Sequence, residues 1–124
     1  MLLDIQACIA NQHNMPTRRF QIAGAEFLCL CDSGACTTVM QTEPPGFKKS
    51  RKVVWVRSAS GHTCKNYLSE PLAVTDVDTG RTAMLKILVD PSCPINLLGR
   101  DPMCVLQLAV IPVKGKMQCV PVSL

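Results

Sequence analysis

The fold class of this chain is decided by one run of residues, Glu26-Phe27-Leu28-Cys29-Leu30-Cys31-Asp32-Ser33-Gly34-Ala35. Its first six residues are mostly apolar and are typical of a strand. Asp32 then introduces a turn, because its side chain can bond nearby backbone groups, and Gly34 accepts backbone angles that other residues avoid. The run therefore predicts a carboxylate held on rigid backbone at the mouth of a β-core, which is the placement that a catalytic acid needs.

A second motif lies in the C-terminal half of the chain. The segment Pro94-Ile95-Asn96-Leu97-Leu98-Gly99-Arg100-Asp101 predicts an apolar strand that runs into Gly-Arg-Asp. A short helix is expected to begin at Asp101, since Asp is a favoured N-cap and Pro102 suits the first helical position. Asp-Ser-Gly alone is common in ordinary turns, so this second motif makes the pattern more specific.

A third motif lies between these two, in Trp55-Val56-Arg57-Ser58-Ala59-Ser60-Gly61. The three motifs in this order resemble a retropepsin, the aspartic protease of retroviruses and retrotransposons. The resemblance runs from about Glu26 to about Leu108, and the third motif resembles the flap of the gammaretrovirus-like and fish endogenous retrovirus branch. It implies an all-β fold, a closed barrel or sandwich with one short C-terminal helix, that is active as a two-fold homodimer.

Length and composition limit the alternatives. With 124 residues the chain is expected to be a single domain, 1–124. Aromatic residues make up only 4% of the sequence and the net charge is a modest +4, so no nucleic-acid partner is predicted. Trp55 and Tyr67 are interpreted as too few and too scattered to stack bases. The basic run Lys48-Lys49-Ser50-Arg51-Lys52 is interpreted as a solvated loop face, with a nucleic-acid or import patch as the less favoured alternative.

The eight cysteines do not predict a disulfide framework. Cys29 and Cys31 lie on one face of a strand, where neighbours two apart are poorly placed to bridge one another. Met1-Leu2-Leu3 does not have the basic start of a signal peptide, and there is no apolar run long enough for a membrane span. We therefore expect reduced thiols in a protein of the cytoplasm or of a virus-like particle, neither secreted nor membrane-bound.

Short apolar runs separated by Gly, Pro and Asp predict mostly strands. Residues 41–52 are expected to form a loop, because Pro44-Pro45-Gly46 interrupts any regular element. The predicted strands comprise a first strand over 3–10, a hairpin of 18–23 and 26–31, a flap hairpin within 53–67, a third hairpin of 72–75 and 82–89, and a C-terminal hairpin within 107–123.

Aspartic proteolysis needs two carboxylates, yet the chain contains one Asp-Ser-Gly. The nearest candidate for a second copy, Asp76-Val77-Asp78-Thr79-Gly80, is polar and typical of a turn. A second Asp32 must therefore come from another copy of the chain, which makes homodimerisation a requirement of this interpretation. The resemblance implies that Asp32 is the catalytic acid and that Ser33 and Gly34 tie the two turns together across the two-fold axis.

The resemblance also implies a substrate cleft and a dimer contact. Small residues at a hairpin tip would let backbone amides approach an extended peptide. The implied substrate-binding residues are Leu30, Ala35, Cys36, Ala59, Ser60, Gly61, Ile95 and Leu97, and the implied structural or dimer residues are Gly99, Arg100 and Asp101. Core packing is an equally good interpretation of any single apolar member. Cys36 stands where some family members carry an acid that pairs with Arg100, so the partner of Arg100 stays open.

No metal site or cofactor is predicted. Cys29, Cys31, Cys36 and the pair His62 and Cys64 do not have the CxxC or HxxxH spacing of zinc ligands. The leading hypothesis is an aspartic endopeptidase that cuts extended polypeptides, its own polyprotein above all. The alternative is a catalytically silent or domesticated domain of the same fold that binds partners.

Overall fold

The computed structural model describes residues 2–4, 16–57 and 61–122. These residues form strands joined by turns, with one short helix in the described part of the chain. The elements are β1 Leu2–Asp4, β2 Thr17–Ile22, β3 Ala25–Cys31, β4 Thr38–Met40, β5 Lys49–Arg57, β6 Thr63–Ser69, β7 Leu72–Asp76, β8 Thr82–Leu85, β9 Ile87–Val89, β10 Asn96–Leu98, α1 Arg100–Val105, β11 Leu108–Val113 and β12 Lys116–Pro121.

The largest sheet has seven strands in the order β8-β7-β2-β3-β10-β4-β9. Its two outermost strands, β8 and β9, are separated along the chain by Lys86 alone. The sheet therefore curls until its edges nearly meet, and this barrel-like form with one short helix confirms the predicted all-β fold class. The prediction of one strand over 82–89 is wrong in one respect, because Lys86 separates two strands, β8 and β9. β9 does not continue the hairpin but pairs in parallel with β4.

Two hairpins of the structure have tight turns of the same kind. β2 and β3 are joined through Ala23 and Gly24, both with positive φ (51° and 84°), and β11 and β12 through Lys114 and Gly115 (50° and 80°). Positive φ at both central residues is the type I′ turn, whose twist matches that of the flanking strands. The first turn was expected at Gly24 and Ala25, but Ala25 pairs with Ile22 and belongs to β3.

A second sheet has the order β1-β5-β6. β5 begins at Lys49, so the prediction of a loop as far as Lys52 is wrong. Pro44 and Pro45 prevent regular structure only in the turn that ends at Phe47. Pairing of β5 with β6 then begins with the 2.7 Å hydrogen bond that Glu70 N donates to the Lys48 carbonyl. The register shifts between Lys49 and Val53. Of the predicted first strand over 3–10, residues 3 and 4 lie in β1, and its remainder lies outside the described residues.

The core consists of two groups of buried, mostly aliphatic side chains. The first group lies between the large sheet, the helix and the C-terminal hairpin, and it includes Phe20, Met40, Leu98, Met103 and Leu106. The second lies beneath the β5–β6 hairpin and consists of Leu30, Val39, Val54, Val56, Leu68, Leu88, Cys93 and Leu97. This second group connects the hairpin to the strand that precedes Asp32.

The helix α1 begins two residues earlier than predicted, with its N-cap at position 99 and not 101. Its N-cap is Gly99, no side chain caps it, and Asp101 lies in the first turn, so the prediction of Asp101 as N-cap is wrong. Tertiary contacts fix this start, because Arg100 N donates a 2.8 Å hydrogen bond to the Ala35 carbonyl. At the other end, the Arg81 guanidinium donates hydrogen bonds of 3.1 and 3.2 Å to the Leu106 and Gln107 carbonyls. These bonds satisfy acceptors that a helix leaves unpaired at its end.

Within residues 2–4, 16–57 and 61–122, no helix is long and apolar enough to cross a membrane. The seven cysteines in these ranges are free thiols, of which Cys36, Cys64 and Cys104 are exposed and Cys29, Cys31, Cys93 and Cys119 are buried.

Candidate functional site

Asp32 lies where two parallel strands of the large sheet end together. β3 and β10 pair in parallel, with Cys31 opposite Leu98. Directly after this pair, Asp32 N donates a 3.0 Å hydrogen bond to the Leu98 carbonyl. The side chain is 6% exposed, so a carboxylate that would ordinarily be solvated is held at the edge of the core. Two strands rather than a surface loop therefore fix its position.

The turn after Asp32 orients its carboxylate. Gly34 N donates a 2.9 Å hydrogen bond to Asp32 Oδ1, and Ala35 N donates a 3.1 Å bond to the Asp32 carbonyl. A β-carbon at position 34 would lie 3.3 Å from Asp32 Oδ1, so Gly34 lets the backbone approach the acid closely. No other residue of the described ranges hydrogen-bonds this carboxylate, so Asp32 Oδ2 has no partner among them.

The Gly-Arg-Asp motif packs against the back of this turn. A β-carbon on Gly99 would lie 3.0 Å from the Thr37 carbonyl carbon and 3.2 Å from the Ala35 carbonyl oxygen. Gly99 N donates a 3.0 Å hydrogen bond to Thr38 Oγ1. Sequence reasoning missed the buried Thr37 and Thr38, although two hydroxyl residues directly after Asp-Ser-Gly-Ala-Cys were a visible signal. Together these contacts lock the loop that carries Asp32 onto the start of α1.

The second candidate acid, Asp76, has a structural environment. Its side chain is fully buried, and Arg18 donates to both of its oxygens, from Nε at 2.7 Å and from one terminal nitrogen at 2.9 Å. Thr79 adds bonds from its N–H and its hydroxyl. Burial alone would raise the pKa of Asp76, but the bonds from Arg18 and Thr79 outweigh it and the pKa is lowered. Both carboxylate oxygens of Asp76 accept hydrogen bonds from Arg18 or Thr79. Asp76 is therefore a structural carboxylate and does not supply the second acid beside Asp32.

The residues expected to bind substrate fall into three groups. Leu30, Ala35 and Leu97 are buried, and Ile95 is half-buried against the second core group. Cys36 and Gly61 are exposed, and Gly61 has a φ of +89°. Ala59 and Ser60 lie outside the described residues. In the single chain, therefore, Leu30, Leu97 and Ile95 pack beneath the β5–β6 hairpin in the same group as Val54 and Val56 of β5.

Arg100 and Cys36 lie beside each other on the outer side of the Asp32 loop. The closest contact joins an Arg100 terminal nitrogen to Cys36 Sγ at 3.9 Å, and both residues are exposed. Asp101 is exposed as well. These residues line a cleft of about 650 Å³ between the loop, α1 and β8, whose other walls include Leu68, Met84 and Val105. Asp32 does not line this cleft, so the cleft is separate from the candidate acid.

Among the residues that the structure describes, no group of three or more His, Cys, Asp or Glu side chains could hold a metal ion. A search of curated proteins finds no match to this chain.

One comparison identifies the family. The family model described as "Retroviral aspartyl protease" matches residues 12–110, about four-fifths of the sequence. The matched range includes the Asp32 turn, the β5–β6 hairpin and the Gly99-Arg100-Asp101 motif. The chain belongs to the retroviral aspartyl protease family.

Proposed function

We propose that this protein is an aspartic endopeptidase that cuts extended polypeptides as a homodimer, with one Asp32 from each subunit. The observation that carries the proposal is the buried Asp32 carboxylate, which is oriented by Gly34 N and has one oxygen without a partner in the described chain. The ion-paired Asp76 cannot complete the pair within one chain. A second subunit is therefore the source of the second acid.

The chemistry follows from bringing two such carboxylates together. Two carboxylates about 3 Å apart cannot both be ionised, so they share one proton and titrate as a unit. The ionised acid takes a proton from a bound water, whose oxygen forms a bond to the peptide carbonyl carbon. The protonated acid gives its proton to the carbonyl oxygen. The tetrahedral intermediate then breaks its C–N bond as the acid that took the proton from water gives it to the leaving nitrogen. The other acid recovers its proton from a hydroxyl of the intermediate, which becomes the new carboxyl group.

The β5–β6 hairpin is proposed to be the flap that closes over the substrate. Its buried face, formed by Val54 and Val56, packs on the strands that lead to Asp32. The positive φ of Gly61 supports a hinge at the tip, beside Ala59 and Ser60. Closure would exclude water and let main-chain groups bond to an extended peptide. Leu30, Ala35, Cys36, Ile95 and Leu97 are the proposed apolar contacts for substrate side chains.

Three narrower proposals accompany this function. The flap motif Trp55–Gly61 supports a place in the gammaretrovirus-like and fish endogenous retrovirus branch. The natural substrate would then be the protein's own polyprotein, and the site of action the cytoplasm or a virus-like particle. We also propose that residues 1–124 act as a single domain, with Gly99, Arg100 and Asp101 stabilising the dimer.

The first experiment measures the native mass and the cleavage of a peptide library on the same samples across a dilution series. We expect activity to fall in parallel with the dimer fraction. Asp32→Asn should remove activity while the far-UV circular dichroism stays unchanged, because Asn retains an acceptor for Gly34 N. A monomer that cleaves, or full turnover by Asp32→Asn, would refute the proposal.

A mixing experiment tests whether the two subunits share one site. Wild-type protein and Asp32→Asn are mixed at constant total concentration and left to exchange subunits. If only wild-type pairs cleave, equal amounts leave about one quarter of the activity, whereas independent sites leave about one half. A stable dimer without cleavage of any library peptide would favour the alternative of a catalytically silent interaction domain.

A further inference from the structure

Positive charge is concentrated in one hairpin of this protein. Residues 48–69 contain six of the 13 Lys and Arg residues and none of the nine Asp and Glu residues. The remainder of the chain therefore carries seven cations and nine acids, a net charge of −2, although the whole chain is +4. The β5–β6 hairpin thus supplies all of the excess positive charge, which the overall net charge conceals.

The same hairpin brings together the two aromatic residues that appear scattered in the sequence. Val53 pairs with Tyr67 and Trp55 with Lys65, so all four side chains lie on one face of the sheet. Trp55 is 51% exposed and Val53 37% exposed, while Tyr67 is half-buried. Strand pairing therefore places Trp55 and Tyr67 on one face, although they are 12 residues apart in the sequence.

Two lysines are held around the tyrosine on this face. The Lys49 ammonium lies 5.8 Å from the centre of the Tyr67 ring and the Lys65 ammonium lies 5.6 Å from it. Such contacts between a cation and an aromatic ring hold flexible side chains in place. The face consequently presents two ammonium groups near the Tyr67 ring, together with the exposed Trp55 indole.

This face is directed away from the candidate active site. The alternate residues of β5, Val54 and Val56, are 1% exposed and pack on the second core group above the strands that lead to Asp32. Successive side chains of a strand point to opposite sides, so Val53 and Trp55 point outwards. A ligand on the outer face would not occupy the site of Asp32.

We propose that this outer face, formed by Lys49, Val53, Trp55, Lys65 and Tyr67, binds single-stranded nucleic acid. Ammonium groups contact the phosphates, and an unpaired base stacks on Trp55, which is the combination that single-strand binding surfaces use. A duplex buries the faces of its bases, so it cannot use the indole. A membrane would need a larger apolar area than Val53 and Trp55 expose. The proposal does not depend on the proteolytic function.

Trp55 is the only tryptophan of the chain, so its fluorescence reports directly on this face. The experiment titrates the full chain with single-stranded oligo(dT), and follows both tryptophan quenching and the anisotropy of a fluorescein label at several salt concentrations. The comparison ligands are a duplex of the same length, inorganic polyphosphate and vesicles that contain phosphatidylserine. We expect quenching by the single strand alone, with an affinity that falls as salt rises.

Variants separate the aromatic and the ionic contributions. Trp55→Ala should weaken binding by on the order of tenfold, and Trp55→Phe should weaken it less. The double variant Lys49→Ala/Lys65→Ala should reduce the slope of log affinity against log salt by about 1.4. The matched control Lys86→Ala/Lys116→Ala removes two exposed cations elsewhere and should leave the slope unchanged. Asp32→Asn should bind as the wild type does, whether or not the protein cleaves peptides.

Three outcomes would overturn the proposal. One is the absence of single-strand binding at low salt. The second is equal binding of duplex or polyphosphate together with no effect of Trp55→Ala, which would show that the face binds anions by charge alone, without base stacking. The third is a response of Trp55 to vesicles but not to oligo(dT), which would make the face a membrane contact.

Discussion

Gly99 lies so close to the backbone of Thr37 that a β-carbon at position 99 would be 3.0 Å from the Thr37 carbonyl carbon. The neighbouring contacts are also backbone atoms, the Ala35 oxygen and the Thr37 nitrogen, each at 3.2 Å. Backbone cannot rotate out of the way as a flexible side chain can. The residue after β10 therefore determines how closely the Asp32 loop can approach the start of α1.

The first prediction is that Gly99→Ala displaces this loop. We expect a loss of about 1–3 kcal/mol of unfolding free energy, the usual cost of an overpacked site. If Asp32 is catalytic, the rate should fall more than this stability loss explains, because the displaced segment carries the acid. Urea unfolding and peptide cleavage on the same preparation provide the two measurements.

A comparison variant, Thr38→Val, distinguishes crowding from a lost hydrogen bond. It removes the hydroxyl that accepts the 3.0 Å bond from Gly99 N but keeps the side-chain shape. We expect it to cost about 1 kcal/mol and to leave the loop in place. Equal effects of Gly99→Ala and Thr38→Val on cleavage would contradict the steric explanation.

The Asp32 region shows why part of this fold is predictable from sequence. The apolar run before Asp32 and the turn residues after it are local signals, and the structure has a strand followed by a tight turn there. The N-cap of α1 was not predictable, because the helix start is set by bonds from Arg100 N and Gly99 N to a loop more than 60 residues earlier. Local propensity favoured Asp101, and tertiary contacts overrode it.

The basic hairpin shows a second limit of sequence reasoning. The prolines before Lys48 indicated a loop, but nothing local indicated that the basic run pairs with β6. Pairing also decided which side chains share a face, and this brought Trp55 and Tyr67 together. Register depends on contacts across strands, so composition could not reveal this surface.

The second prediction concerns the buried ion pair of Arg18 and Asp76. Asp76→Asn leaves the Arg18 guanidinium, whose side chain is 10% exposed, without its charged partner. Removing one member of a buried pair costs about 3 kcal/mol. Urea unfolding near neutral pH measures the change. Asp78→Asn is the matched control, because Asp78 is 74% exposed and lies 3.7 Å from the same guanidinium, and it should change stability little.

The third prediction is the pH dependence of the stability difference between wild type and Asp76→Asn. The pKa of Asp76 lies below its usual value of 3.8 in the folded chain, since the bonds from Arg18 and Thr79 outweigh burial. A lowered pKa means that the stabilisation is fully present above the unfolded value and is lost as the pH falls through the folded value. The difference in unfolding free energy between wild type and Asp76→Asn should therefore be constant near neutral pH and shrink below pH 3.8. A gap that stays constant through acid would show that Asp76 is not the titrating group.

The fourth prediction is that the thiols beside Asp32 do not react in the folded protein. Burial raises the pKa of Cys29 to about 12, and the hydrogen bond that the Cys31 thiol donates to Cys119, together with burial, raises the pKa of Cys31. The thiolate is the reactive form, so Cys29 and Cys31 should resist iodoacetamide at about pH 8. The exposed Cys36, Cys64 and Cys104 should be labelled.

Peptide mapping by mass spectrometry after brief labelling checks this pattern, and a sample labelled in denaturant shows that every cysteine can react once exposed. Labelling of Cys29 at the rate of Cys64 would mean that β3 opens to solvent in the native state. Protection of Cys29 and Cys31 would instead show that the strand before Asp32 stays closed on the timescale of the reagent. A carboxylate that must meet its partner at a fixed distance needs that rigidity, because a shift of one ångström in a catalytic group can lower a rate by about 100-fold.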